Sequence, residues 1–138
     1  KLDPKITVHQ QAAPLLVPLV ENAEKDDDII IPVIKKYIKP LVEQGIDSLV
    51  LGCTHYGVLE DKITEVIEIM GADIKIINES VVVADKLADY LERHPEMEEK
   101  LTKNSEREYY STDLTDKFQN IGSILMNEKI SVKKAQLH

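Results

Sequence analysis

Leu51-Gly52-Cys53-Thr54-His55-Tyr56 sets the chain's single cysteine directly after a glycine and two residues before a histidine. A thiol beside an imidazole is a proton-transfer pair. A free thiol ionises near pH ~8.5, and a neighbouring imidazolium or a row of backbone N–H groups lowers that value. The thiolate then serves as nucleophile or as general base, and the spacing leaves both open. In an extended loop, residues i and i+2 point to the same side, so the Cys53 thiol and the His55 imidazole are expected on one pocket wall. Gly52 permits unusual backbone angles and close approach of a ligand. A lone cysteine also serves many proteins as a small buried hydrophobe; the Gly-Cys-Thr-His context argues for the reactive role. Zinc is a weaker reading, because Cys53 and His55 supply two ligands where a structural site uses about four. His9, His94 and His138 have no motif around them and read as ordinary solvated or partly packed residues.

The elements around this loop alternate. Ile46 to Leu51 is a strand with too few polar residues to be half exposed, as expected of a parallel sheet covered on both faces. Cys53 thus falls beyond the carboxyl end of a strand, where doubly wound folds bind ligands. After the loop, Leu59, Ile63, Val66, Ile67 and Met70 mark a helix that stops at Gly71, and a helix begun near Val58 turns its positive end toward the loop. Asp73 to Ile77 is the next strand. Ser80 is placed to cap a helix with Val81, Ala84, Leu87, Ala88 and Leu91 on one face and Pro95 just past its end.

Upstream, Ile6-Thr7-Val8-His9 alternates as a short strand does. Ala13 to Glu21 reads as a short irregular buried helix, with Pro14 in its first turn and Pro18 distorting it. Asp26, Asp27 and Asp28 are available to cap an amphipathic helix carrying Ile30, Ile31, Ile34, Ile38, Leu41 and Val42 and ending near Gly45. Pro32 fits its first turn, and Pro40 is expected to kink it. Downstream, residues 95–106 are polar and charged, a loop or linker. Glu108 to Ser111 then reads as a strand, Leu114 to Met126 as a helix around Phe118, and Ile130 to Val132 as a last strand. Strands and helices joined by short connections define an α/β fold with a largely parallel sheet.

A chain of 138 residues is about one domain's worth, large enough for one good core. With one Phe and no Trp, that core is expected to be aliphatic. A net charge of −8 argues against nucleic-acid and anionic-membrane partners, which want clustered Lys and Arg, and favours simple solubility. One cysteine forms no internal disulfide, so a reducing cytoplasm is the expected compartment. No apolar run approaches the roughly 20 residues of a membrane span, and no signal peptide is visible. The chain starts at Lys1 on an already amphipathic segment, which suggests a fragment.

Leu-Gly-Cys-Thr-His-Tyr after an aliphatic strand resembles the second catalytic signature of the glutamate racemases, in the aspartate/glutamate racemase superfamily. Ala13-Pro14-Leu15-Leu16-Val17-Pro18-Leu19-Val20-Glu21 is similar to the family's upstream Ala-Cys-Pro-Leu-Phe-Val-Pro-Leu-Val-Glu segment, and Tyr109-Tyr110-Ser111-Thr112-Asp113 with Phe118 to its last strand and helix. The resemblance runs from about Ile6 to Leu137. It implies cofactor-independent racemisation of glutamate, with two cysteines flanking the α-carbon, supplying D-glutamate for peptidoglycan. Cys53 matches the second cysteine, expected to deprotonate the L enantiomer. His55 matches the histidine that assists it, Glu21 a carboxylate that orients that histidine, and Thr54 with His55 the positions that hold substrate. This chain departs from the family at Gly57, where Pro is usual, at Ala13, where Cys is usual, and at Asn78-Glu79-Ser80, where Asp precedes the Ser.

The family's first half, with its Asp-Ser-Gly motif and first catalytic cysteine, is absent. The resemblance therefore implies one lobe of a two-lobed, doubly wound α/β enzyme. Residues 1–78 would form the second lobe, carrying the Cys-Thr-His loop, and residues 79–138 a segment packing toward the missing first lobe. Such a chain is expected to be inactive alone and to expose apolar surface that the missing N-terminal half, or a homodimer, covers. Two other readings stand: a superfamily member acting on another amino acid or small diacid, and a non-catalytic interaction module that kept the loop.

Overall fold

The structure, a computed structural model, describes residues 3–137, without the side chain of Lys117; His138 lies outside the described residues. The chain divides into two compact units, Lys1–Ser80 and Val81–His138. Among the described residues, and besides one 3-10 turn, these helices and strands follow in order: α1 (Leu16–Glu21), α2 (Asp27–Glu43), β1 (Ser48–Val50), α3 (Glu60–Ile69), β2 (Lys75–Ile77), α4 (Glu79–Arg93), α5 (Pro95–Glu98), β3 (Tyr109–Ser111), α6 (Asp116–Leu125) and β4 (Val132–Lys134). Among the described residues no helix is long and apolar enough to cross a membrane.

In the first unit, α1 begins two residues after Pro14, and Pro18 is its third residue. An N–H at that position has no partner inside the helix, so the proline removes no bond and the expected distortion is absent. Asp26 caps α2, its Oδ1 accepting from the Asp28 N–H at 2.9 Å. Because α2 starts at Asp27, Pro32 is its sixth residue and lies past the first turn where it was expected; the helix continues through Pro40 to Glu43. Each internal proline costs about 3 kcal/mol. Burial of Ile30, Ile34, Ile38 and Leu41, roughly 1.5–3 kcal/mol apiece, offsets that. Gly45 (φ +71°) and Gly71 (φ +67°) stand just past α2 and α3, in the left-handed conformation that only glycine adopts freely.

β1 and β2 pair in parallel, with Ser48, Leu49 and Val50 opposite Lys75, Ile76 and Ile77. The core lies on one side of this pair. Ile34, Ile63 and Val66 are fully buried at its centre, and Leu49 and Ile76 pack against it. The other side is largely open, with Ser48 and Val50 exposed and Ile77 partly buried. Val50 is 58% exposed, so the expected covering of both faces is not found in this unit: its helices gather against Leu49 and Ile76. Ile6 to His9 forms no strand, and Ile6 and Val8 are exposed. An alternating pattern makes a strand only where another backbone supplies ladder partners.

From Val81 onward the picture differs. α4 buries no residue, and the expected apolar face at Val81, Ala84, Leu87 and Ala88 is exposed. The helix begins at Glu79, one residue before the expected cap Ser80; Asn78 accepts from the Ser80 N–H at 3.0 Å instead. The expected loop at Pro95 opens with one helical turn, α5. β3 and β4 form a second parallel pair, with Tyr109 opposite Val132, and Thr115 caps α6. Phe118 is 45% exposed and is not a core residue. Among the described residues Ile130 and Val132 are the buried hydrophobics here, and a Cβ on Gly122 would meet Ile130 Cδ1 at 2.7 Å, so any larger residue there must turn the end of that side chain aside. Parallel α/β pairing is thus observed, as two separate two-stranded sheets among the described residues.

Candidate active site

Beyond β1, Leu51 is buried and its N–H still bonds to Ile77 O, so the chain leaves the sheet at Gly52 from an anchored position. The loop is not extended as expected. It closes at once into a turn, with the Tyr56 N–H donating to Cys53 O (2.9 Å), followed by a single 3-10 turn over Tyr56–Leu59. His55 has helical angles (φ −73°, ψ −29°). The i, i+2 rule of extended chain therefore does not apply, and the turn itself brings the two side chains together. The 3-10 turn stands between the loop and α3, whose first turn carries Glu60 and Asp61, so two carboxylates offset the positive helix end that was expected to act on the thiol.

Cys53 Sγ lies 3.9 Å from His55 Nδ1. His55 Nε2 in turn lies 3.7 Å from Glu21 Oε1, with the two side chains 22% and 28% exposed. The imidazole thus stands between a thiol and a carboxylate, one ring nitrogen facing each. A neutral imidazole carries one N–H and one lone pair. With the proton on Nε2 toward Glu21, the Nδ1 lone pair faces the thiol and is placed to take its proton, and the carboxylate stabilises the imidazolium that forms. Glu21 reaches this position because it ends α1, whose Leu16 and Val20 are buried. Thr54 lies on the same turn and is exposed, and Cys53 is partly so.

Tyr56 was not anticipated as part of this arrangement. Its hydroxyl donates to Ala13 O at 3.1 Å, tying the turn to the segment that leads into α1. Burial, reinforced by Cys53 and Tyr37 nearby, raises its phenol above the usual value, so the hydroxyl keeps its proton and remains a donor. Behind Tyr56 a small apolar cavity of about 70 Å³ runs between Ala13, Tyr37 and Leu51; neither Cys53 nor His55 lines it. His9 is exposed, and His94 stacks on Tyr90 with Nδ1 3.1 Å from Glu96 Oε1, so neither joins Cys53. Among the described residues, no three His, Cys, Asp or Glu gather in a group able to hold a metal ion.

No protein-family model matches the chain. Individual proteins do. It is 33% identical to a glutamate racemase of Syntrophus aciditrophicus over 99% of its own length and 50% of that protein's, and 37% identical to one of Lactobacillus helveticus over 87% and 43%. The glutamate racemase of Francisella tularensis, crystallised with D-glutamate, superimposes with a TM-score of 0.78 at 27% identity, covering 97% of this chain and 49% of that one. A Bacillus anthracis glutamate racemase also gives 0.78, at 30% identity over 98% and 49%. The chain spans about half the length of the curated relatives it matches, roughly their C-terminal half.

Proposed function

We propose that this chain is the C-terminal half of a glutamate racemase, supplying one of two acid–base thiols to a site that a second half completes. The observation that carries the proposal is the file of Cys53, His55 and Glu21 at 3.9 and 3.7 Å, in a chain similar along its length to half of each racemase named above.

The reaction follows from these groups. His55 takes the Cys53 proton, leaving a thiolate opposite the α-hydrogen of L-glutamate. The thiolate removes that hydrogen, the Cα–H bond breaking as S–H forms, and the electron pair stays on the α-carbon. A thiol on the opposite face then delivers its own proton, giving D-glutamate and a new thiolate. Glu21 holds the imidazole in place and offsets its charge, while Thr54 and His55 hold the substrate. An α-proton is far less acidic than a thiol, so placement and preorganised hydrogen bonds must supply the difference. One thiol cannot serve both faces, and the sequence holds only one.

In this reading residues 1–78 form the racemase lobe with the reactive turn, residues 79–138 pack toward the missing half, and the product feeds peptidoglycan synthesis in the cytoplasm. The largely open side of β1 and the exposed apolar side chains of α4 fit a chain made to be covered by that half, or by a second copy in its absence. The test is complementation. The chain alone should not racemise glutamate, and adding the N-terminal half of the Syntrophus relative should restore turnover that Cys53→Ala abolishes. Brisk racemisation by this chain alone, or turnover that survives loss of Cys53, contradicts the proposal.

A further inference from the structure

Two contacts flank the 3-10 turn that follows Cys53, one at its first residue and one just past its last. Near its start, Tyr56 is fixed to Ala13 O. At the other end, Asn78, the first residue after β2, donates from Nδ2 to Glu60 Oε2 at 2.6 Å while its Oδ1 accepts from the Ser80 N–H at 3.0 Å. The amide can face only one way, since its NH2 must meet the carboxylate and its oxygen the N–H. Its nitrogen also lies against Gly57, within the 3-10 turn, where an added Cβ would come to 3.4 Å. Asn78 is thus bonded to the first residue of α3 and borders the open space over Gly57.

The contacts inside the site are long for hydrogen bonds, 3.9 Å from sulfur to nitrogen and 3.7 Å from nitrogen to oxygen. A shift of the turn by a few tenths of an ångström makes or breaks them. The 3-10 turn begins directly after His55 and ends where Glu60 is bonded to Asn78, so that bond lies one short turn from the imidazole.

We propose that Asn78 is a positioning residue for Cys53, acting through its bond to Glu60 at the end of the 3-10 turn. This rests on the reading of Cys53 as the working thiol. An ordinary capping role is separable from it, because aspartate caps a helix as well as asparagine does. Asn78→Asp keeps the acceptor for Ser80 N–H but sets a carboxylate against Glu60, losing the donor and adding like-charge repulsion.

The experiment measures alkylation of Cys53 by iodoacetamide on the full chain, from about pH 6 to about pH 9, beside the urea midpoint. Asn78→Asp should change the rate about tenfold. The swapped pair Glu60→Gln with Asn78→Asp restores an amide–carboxylate bond of reversed direction and keeps the cap, so it should return the rate to that of the unsubstituted chain. If Asn78→Asp does not fold but the swapped pair does, with the native rate, the proposal stands. A folded Asn78→Asp chain with an unchanged profile, or a swapped pair that fails to restore the rate, overturns it. Alkylation needs neither glutamate nor a second half, so failure of the racemase reading would leave this result standing, and the reverse holds as well.

Discussion

The two units of the chain are built on different terms. Up to Ser80, three helices and one face of a strand pair close around Ile34, Ile63 and Val66, and Tyr56 ties the Cys53 turn to that body through Ala13 O. From Val81 onward, the described residues bury only Ile130 and Val132, while Val81, Val83, Leu87, Tyr110 and Phe118 face outward. At roughly 1.5–3 kcal/mol per buried aliphatic side chain, the first unit has ample apolar drive and the second very little. On the proposed reading, the proton-transfer residues lie on the better-packed unit. Cys53 and His55 stand beside the buried cluster of the first unit.

That contrast can be attacked in several ways, the strongest first. Ile34→Ala removes a fully buried side chain and should cost about 2–5 kcal/mol in urea unfolding, whereas Leu87→Ala on exposed α4 should stay within about 0.5 kcal/mol. Comparable losses at the two positions would erase the distinction. Gly122→Ala drives a methyl into Ile130 and should cost about 1–3 kcal/mol, reduced somewhat by alanine's better helix propensity. Amide exchange over residues 109–134 should report it, with residues 27–69 unchanged. Asp26→Ala removes the α2 cap and should cost about 1 kcal/mol, read as a lower urea midpoint.

The smallest expected effect depends on pH. Lys133 and Tyr110 bond to Glu108 and hold its carboxyl below its ordinary range, and Glu108 in turn raises Lys133. The carboxylate's contribution is present above its unfolded pKa and is lost as pH falls through the lower folded value. The ammonium's is present below its own unfolded pKa and is lost as pH rises through the raised one. Both groups are solvated, so the change should be slight and confined to exchange of the β3 and β4 amides. A pH-independent exchange pattern there would show that the pair contributes nothing.

Much of the first unit could be read from the chain itself. The three- and four-residue spacing of Ile30, Ile34, Ile38 and Leu41, and again of Ile63, Val66 and Met70, defines α2 and α3 because periodicity and burial are local to each helix. The strands at Leu49 and Ile76 were legible as apolar runs between glycines and turns. What escaped depends on partners distant in sequence. Ile6 to His9 has the pattern of a strand and no ladder to join, and α4 has an apolar face with nothing upon it. Pro32 and Pro40 argue locally against a helix that burial of its other side nonetheless sustains.

In the site, the closeness of Cys53 and His55 was expected from an extended loop, and a turn produces it instead. Glu21 came from resemblance alone. Tyr56 to Ala13 and Asn78 to Glu60 join positions 43 and 18 residues apart, and no composition or spacing marks such pairs in advance.

The most direct measurement uses L- and D-glutamate deuterated at the α-carbon, with the chain assembled on an N-terminal half whose own thiol has been changed to serine. With Cys53 as the sole remaining base, deuterium should wash out of the L isomer into water and stay in the D isomer. Washout from the D isomer alone, or undiminished washout from the L isomer after Cys53→Ala, would contradict the assignment of this sulfur as the group that takes the proton.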